Sequence, residues 1–259
     1  MDLQIYSLIS FEFILFRINT IGLIGLISEK GLNNIQAFFQ SKKHPHMDLG
    51  HLVNNLVKVL EGPLPGRSAQ ERMAPIPLEM DRFDKQQMVN ARKGAVLMLI
   101  CPSPDQKNIF VPFIKRATYE GVHSGQIALP GGKKEHTDQD LGETALRETE
   151  EEIGVASDSI QIIGSLTDLY IPPSNFSVRP FIGYSSKSPT FLIDKREVDR
   201  LILCNFDELT DEAIVKKKGM DLAGGHRIQA PYYEINQEVV WGATAMILSE
   251  FLTLWKEIK

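Results

Sequence analysis

A chain of 259 residues with 24% charged and 43% hydrophobic side chains can hold one large domain or two small ones, and its balance excludes a disordered or fibrous protein. A formal charge of -5 and a pI near 5.7 argue against a nucleic-acid binder that works through a general basic surface, which needs clustered Lys and Arg. Cys101 and Cys204 each follow an apolar run. They are expected as small buried hydrophobes, not as a disulfide or thiolate metal site, in keeping with a cytoplasmic location.

Residues 3–27, LQIYSLISFEFILFRINTIGLIGLI, are apolar enough to suggest a membrane span, but Glu12, Arg17 and Asn19 interrupt them. Asp2 leads where a secretory signal would carry basic residues, and no small-residue cleavage site follows. Met47 opens a second plausible start, MDLGHLVNNLVKVLEGPLPG. The expectation is that residues 1–46 are an extra segment from a start assigned too early; a membrane anchor is the alternative.

Leu49, Leu52, Val53, Leu56, Val57 and Leu60 follow helical spacing, which predicts a helix over 49–61. Residues 62–93 carry Pro63, Pro65, Pro75 and Pro77 and are expected as an arm or loop. The apolar runs 95–101 and 109–115 flank Pro102-Ser103-Pro104-Asp105 and predict a β-hairpin. Further strands are expected at 160–163, 166–171, 178–184 and 198–204, and helices at 140–153 and 242–257. The last helix carries Ala245, Ile247, Leu248, Phe251, Leu252 and Trp255 for core packing.

The chemistry concentrates in Gly131-Gly132-Lys133-Lys134-Glu135 and in Thr144-Ala145-Leu146-Arg147-Glu148-Thr149-Glu150-Glu151-Glu152-Ile153-Gly154-Val155. At about 100° per residue, Glu148, Glu151 and Glu152 share an arc of roughly 100° on one helix face. Leu146, Thr149 and Ile153 form a neighbouring stripe that can pack on a sheet, and Glu150 points elsewhere into solvent. Gly154 suits the left-handed position that ends a helix. Gly131 and Gly132 let the backbone approach a ligand or metal closely. Like charges at helical spacing repel, and clustered carboxylate oxygens are what Mg2+ or Mn2+ requires. A solvated acidic face is the plain alternative for the glutamates alone.

The segment resembles the Nudix box, Gly-x5-Glu-x7-Arg-Glu-U-x-Glu-Glu-x-Gly-U, where U is apolar. Thr149 occupies a U position, and Asp138 stands where the box has Glu, with eight residues instead of seven before Arg147. That spacing is similar to the coenzyme A pyrophosphatase branch, in which GGK-x-E-x-x-D precedes TALRE-x-x-EE-x-G. The stretch from Phe113-Ile114-Lys115-Arg116 to Leu129-Pro130-Gly131-Gly132 resembles that branch's second signature. It has Leu129 where a Phe is usual, and Gly121 where an Arg is common. Val240-Trp241-Gly242-Ala243-Thr244-Ala245 resembles the start of the family's final helix.

The resemblance implies an α/β fold, an α/β/α sandwich with a mixed β-sheet over 95–259, preceded by a helix and arm at 47–94. It implies metal-dependent hydrolysis of a diphosphate bond, in coenzyme A or its derivatives, to 3′,5′-ADP and 4′-phosphopantetheine. Glu148, Glu151 and Glu152 are expected to hold Mg2+ or Mn2+, with Glu151, Glu152 and Arg147 in the catalytic set and Glu151 able to act as base. Arg116, Gly131 and Gly132 are expected to contact the substrate. His123 could touch substrate or be a structural histidine, and Tyr232 and Tyr233 could stack on adenine or pack in the core. The alternatives are another nucleoside diphosphate derivative, of ADP-ribose or NADH type, and a non-catalytic nucleotide sensor.

Overall fold

The computed structural model describes residues 48–76, 85–118, 123–221 and 227–258. The expectations for residues 1–46 and for Gly121 lie outside the described residues. Helix α1 (Leu49–Leu60) starts where Asp48 accepts from the His51 amide, and it buries Leu52, Val53 and Leu56. The stretch expected as an arm is more ordered than its prolines suggest. It contains α2 (Gly66–Gln70), a 3-10 turn (Glu71–Met73) and α3 (Lys85–Asn90).

Strand β1 (Arg92–Pro102) is the centre of the main sheet. Its far end forms the expected hairpin with β2 (Ile109–Arg116), pairing Cys101 with Phe110 and Pro102 with Ile109. Over Arg92–Ile100 it runs parallel to β7 (Phe176–Tyr184), and its Gly94–Val96 stretch pairs antiparallel with β4 (Gly131–Lys133). The short β3 (Ile127–Ala128) and β8 (Val198–Asn205) flank β2, while β5 (Gln161–Ser165) and β6 (Leu169–Ile171) pair with β7. One parallel pairing among antiparallel ones makes the sheet mixed.

Alternation along β1 sends Ala95, Leu97 and Leu99 to one core and Met98 and Ile100 to the other. The first core is closed by helix α4 (Leu141–Ile153) through Ala145 and Ile153. The second is closed by α1 and by the C-terminal α6 (Gly242–Ile258), whose Phe251 and Trp255 meet Phe206 edge to face. Phe206 begins the short α5 (Phe206–Leu209). Helices on both faces of a mixed sheet form the α/β/α sandwich.

A second sheet, formed by β9 (Val215–Asp221), β10 (Arg227–Ile235) and β11 (Glu238–Trp241), was not foreseen. Lys216 pairs with Glu234 across it, and Lys218 lies over the Tyr232 ring. Cys101 and Cys204 are free and buried, and burial pushes both thiols up to about 12. Among the described residues no helix is long and apolar enough to cross a membrane.

Glu250 of α6 explains the order in the arm. Its fully buried carboxylate accepts from the Gly66 amide (3.1 Å), Gln70 Nε2 (2.9 Å), the Thr167 amide (3.2 Å) and Thr167 Oγ1 (2.6 Å). Glu250→Ala strands four donors and is expected to cost roughly 2–4 kcal/mol, since each buried donor left unmade carries its desolvation penalty. Urea unfolding of the variant against wild type measures the loss, and an unchanged midpoint would refute this role.

Candidate active site

The box helix α4 is fixed at both ends before its carboxylates matter. Asp140 caps the start by accepting from the Glu143 amide, and Glu143 returns a carboxylate oxygen to the Gln139 amide. Gly154 ends the helix at φ 73°, where an added Cβ would press against Leu192. Glu150 is exposed, as expected, but not merely solvated: it accepts from the Ser157 amide and hydroxyl and pins the chain beyond the helix. Thr149 sits at an apolar box position because its hydroxyl donates to the Ala145 carbonyl at 2.6 Å, which hides its polarity within the helix.

Arg147 lies between the helix and the preceding loop. Its Nε donates to Asp138 Oδ1, Nη1 to Glu148 Oε1 and Glu151 Oε2, and Nη2 to Asp138 Oδ2 and the Lys133 carbonyl, at 2.9–3.1 Å. All five N–H groups of the guanidinium end on protein oxygens. Asp138 also accepts from Thr144 Oγ1 and the Glu135 amide. The Arg147 guanidinium holds the Asp138 carboxyl far below the ordinary carboxylate range. The extra residue before Arg147 therefore leaves Asp138 within bidentate reach.

Glu152 has the opposite environment. It is 1% exposed; its Oε2 accepts from the Gly131 amide at 2.8 Å, while Oε1 is buried with no hydrogen-bond partner among the described residues. Arg116 Nη1 stands 3.8 Å from that oxygen, and Arg116 Nη2 donates to the Gly131 carbonyl at 3.0 Å. Gly131 is thus gripped from both sides of its backbone. Its φ of 149° and the Ala95 carbonyl, 2.3 Å from any added Cβ, leave room for no other residue. Burial pushes Glu152 up to about 7, against the lowering effects of Arg116 and the Gly131 amide.

Glu148 packs on Gly132 so closely that a Cβ there would lie 2.5 Å from its carboxylate. Burial raises its pKa, and Arg147 opposes the shift. Glu151 is 58% exposed and, among the described residues, is held through Arg147. Among the described residues no three His, Cys, Asp or Glu side chains already form a metal cage. The donors nonetheless fit a hard divalent cation: two half-buried or buried carboxylates, a third at the surface, and one orphaned carboxylate oxygen.

A further carboxylate carries no signal in the sequence. Glu197 raises the pKa of both Glu148 and Glu152 by its charge. Its loop hangs from the last carbonyls of α4, through Leu192 N to Ile153 O and Asp194 N to Glu152 O. The Glu197 carbonyl accepts from the Ala117 amide, just past Arg116.

A cleft of about 720 Å3 opens beside these residues and is lined by Arg116, Gly131, Gly132, Lys133, His123 and Trp241 among others. His123 adopts φ 74°, and its Nδ1 meets Gln126 Oε1 at 3.0 Å. Tyr232 and Tyr233 do not line the cleft; Tyr233 is core and Tyr232 lies under Lys218, so neither is placed to stack on adenine there. Leu129, where the signature has Phe, is buried in the core.

Asp138→Asn removes the charge that pairs with Arg147 and is expected to destabilise the fold by about 3 kcal/mol. Because the folded pKa is depressed, Asp138's contribution is fully present above the unfolded value of about 3.9 and fades as pH falls below it. Thermal melts from pH 7 to pH 3 should show the gap between the two proteins narrowing toward acid. A gap that stays constant would refute the assignment.

The NUDIX domain family model matches residues 91–222. A protein of Pectobacterium atrosepticum named as an uncharacterized Nudix hydrolase, NudL, is 32% identical over 164 residues, 61% of this chain and 80% of that protein. The NudL protein of Yersinia enterocolitica is 32% identical over 180 residues, 65% and 87% of the respective chains. A MutT/nudix family protein from Enterococcus faecalis superposes with a TM-score of 0.43 at 14% identity, covering 74% of this chain and 72% of the other. With the family model spanning half of the chain around the box helix, the protein belongs to the Nudix hydrolase family and is a Nudix diphosphatase.

Proposed function

We propose that this diphosphatase hydrolyses coenzyme A or a derivative to 3′,5′-ADP and 4′-phosphopantetheine, and that Glu148, Glu151 and Glu152 hold the divalent cation, Mg2+ or Mn2+. One observation carries the site: among the described residues the buried Oε1 of Glu152 has no hydrogen-bond partner, at the point where Gly131, Arg116 and the cleft meet. A buried carboxylate oxygen left this way is costly unless a cation completes it. The box spacing with Asp138 and the stretch from Phe113 to Gly132 favour coenzyme A among diphosphate substrates. The cleft has the size for a nucleotide with part of an organic arm.

Held by Glu148, Glu151 and Glu152, a divalent cation would neutralise diphosphate charge and ease attack of water at phosphorus. Arg116, tied to the Gly131 carbonyl and lining the cleft, is the residue of this chain that meets the diphosphate oxygens. Gly131 and Gly132 keep the floor free of side chains. Arg147 acts as a positioning residue, since its N–H groups are all committed to Asp138, Glu148, Glu151 and the Lys133 carbonyl. Glu151 is exposed enough to reach either cation or water. Glu197, held between the box helix and the end of β2, is a second candidate to take the proton of the attacking water.

Incubation of the full chain with coenzyme A and Mg2+ or Mn2+, followed by chromatography, should release 3′,5′-ADP. Glu152→Gln should lower the rate by about a hundredfold or more, the scale for losing one charge-stabilising group. ADP-ribose and NADH run in parallel. Cleavage of either with coenzyme A intact would overturn the substrate and keep the chemistry. No cleavage of any would favour a nucleotide-sensing protein.

A further inference from the structure

The cleft carries a cation that the diphosphate site does not use. Arg92 opens β1, three residues before Ala95, which pairs with Gly132. At about 3.3 Å per residue its Cα stands roughly 10 Å along the strand from the box floor. The residue lines the same cleft as Arg116 and Lys133, on the side formed by Ser174, Asn175 and Phe176.

The Arg92 guanidinium is held in place without being neutralised. Its Cζ lies 4.3 Å from the centroid of the Phe176 ring, and Nη2 donates to the Ser174 carbonyl. Among the described residues no carboxylate pairs with it. The turn beneath it is itself fixed: the Arg92 amide donates to the Asn175 carbonyl, Asn175 takes a left-handed φ of 50°, and the Tyr170 hydroxyl bonds the Asn175 side chain. An arginine fixed on an aromatic plate with N–H groups to spare is preorganised for a phosphate, because little rotamer freedom is left to lose on binding.

Resting on the proposed substrate, we infer that Arg92 and its Phe176 plate form a second anion subsite in the same cleft, which reads a phosphomonoester on the ribose of the nucleotide whose diphosphate lies at the box floor. This is the 3′-phosphate that separates coenzyme A from its dephosphorylated form. The cleft then has two positive ends with distinct tasks: Arg116 at the bond that breaks, and Arg92 at the group that identifies the nucleotide.

Calorimetric titration of the full chain with 3′,5′-ADP and with 5′-AMP, in Mg2+, tests this without turnover. Wild type should bind 3′,5′-ADP roughly 10- to 100-fold more tightly, the range for a charge-assisted pair. Arg92→Gln should bring 3′,5′-ADP to the AMP level and leave AMP unchanged, and Arg92→Lys should restore part of the preference. A merely structural Arg92 would weaken both ligands equally, and that result, or no preference in wild type, overturns the subsite. Hydrolysis of coenzyme A and dephospho-coenzyme A separates the two readings. Cleavage without a binding preference sinks the subsite alone, whereas a preference abolished by Arg92→Gln without cleavage sinks the substrate assignment and leaves the subsite standing.

Discussion

Arg147 holds together a helix face that would otherwise fly apart electrostatically. Glu148, Glu151 and Glu152 bring three like charges onto one arc of α4, and Asp138 adds a fourth carboxylate from the loop before it. Repulsion at helical spacing is small for one exposed pair but grows as the groups are buried. One guanidinium bridges Asp138, Glu148 and Glu151 and also takes the Lys133 carbonyl. The helix, the loop and β4 are therefore tied at a single point. A lysine could not do this, because its compact ammonium lacks the fixed fork that reaches all four acceptors.

Glu152 is the carboxylate that Arg147 does not hold, and its cost is met elsewhere. The Gly131 amide takes one oxygen and Arg116 approaches the other without bonding it. This depends on Gly131 lying against β1 in a conformation closed to other residues, so the sheet register and the site geometry are one constraint. Ala95 opposite Gly132 and Gly94 opposite Lys133 supply the small side chains that let β4 come so close.

The parts legible in the sequence are those with local signals. The hairpin, the box helix with its Gly154 stop, and the apolar final helix follow from periodicity and turn chemistry within short windows. What was not legible depends on partners far along the chain. The arm folds because Gly66 and Gln70 meet Glu250, which lies 180 or more residues away, and no proline count predicts that. Glu197 reads as one charge among many until the carbonyls of Glu152 and Ile153 fix the loop that carries it. Val215–Asp221 is lysine-rich and has no apolar alternation; it becomes a strand because Glu234 and Tyr232 on β10 receive its lysines.

The same distinction separates positioning from recognition in the site. Residues that organise the box lie within its own sequence, since Asp138, Arg147 and the three glutamates need only one helix and one loop to meet. The cleft has no such locality: β1 supplies Arg92, β2 supplies Arg116, the turn before β7 supplies Ser174, and the start of α6 supplies Thr244. Thr244 Oγ1 bonds the Ile127 carbonyl, so the wall from α6 is locked to β3, next to the box floor. Chemistry can thus stay constant in a short motif while the walls vary with distant segments. This is why the box is readable within one short window, whereas the walls of the cleft are not.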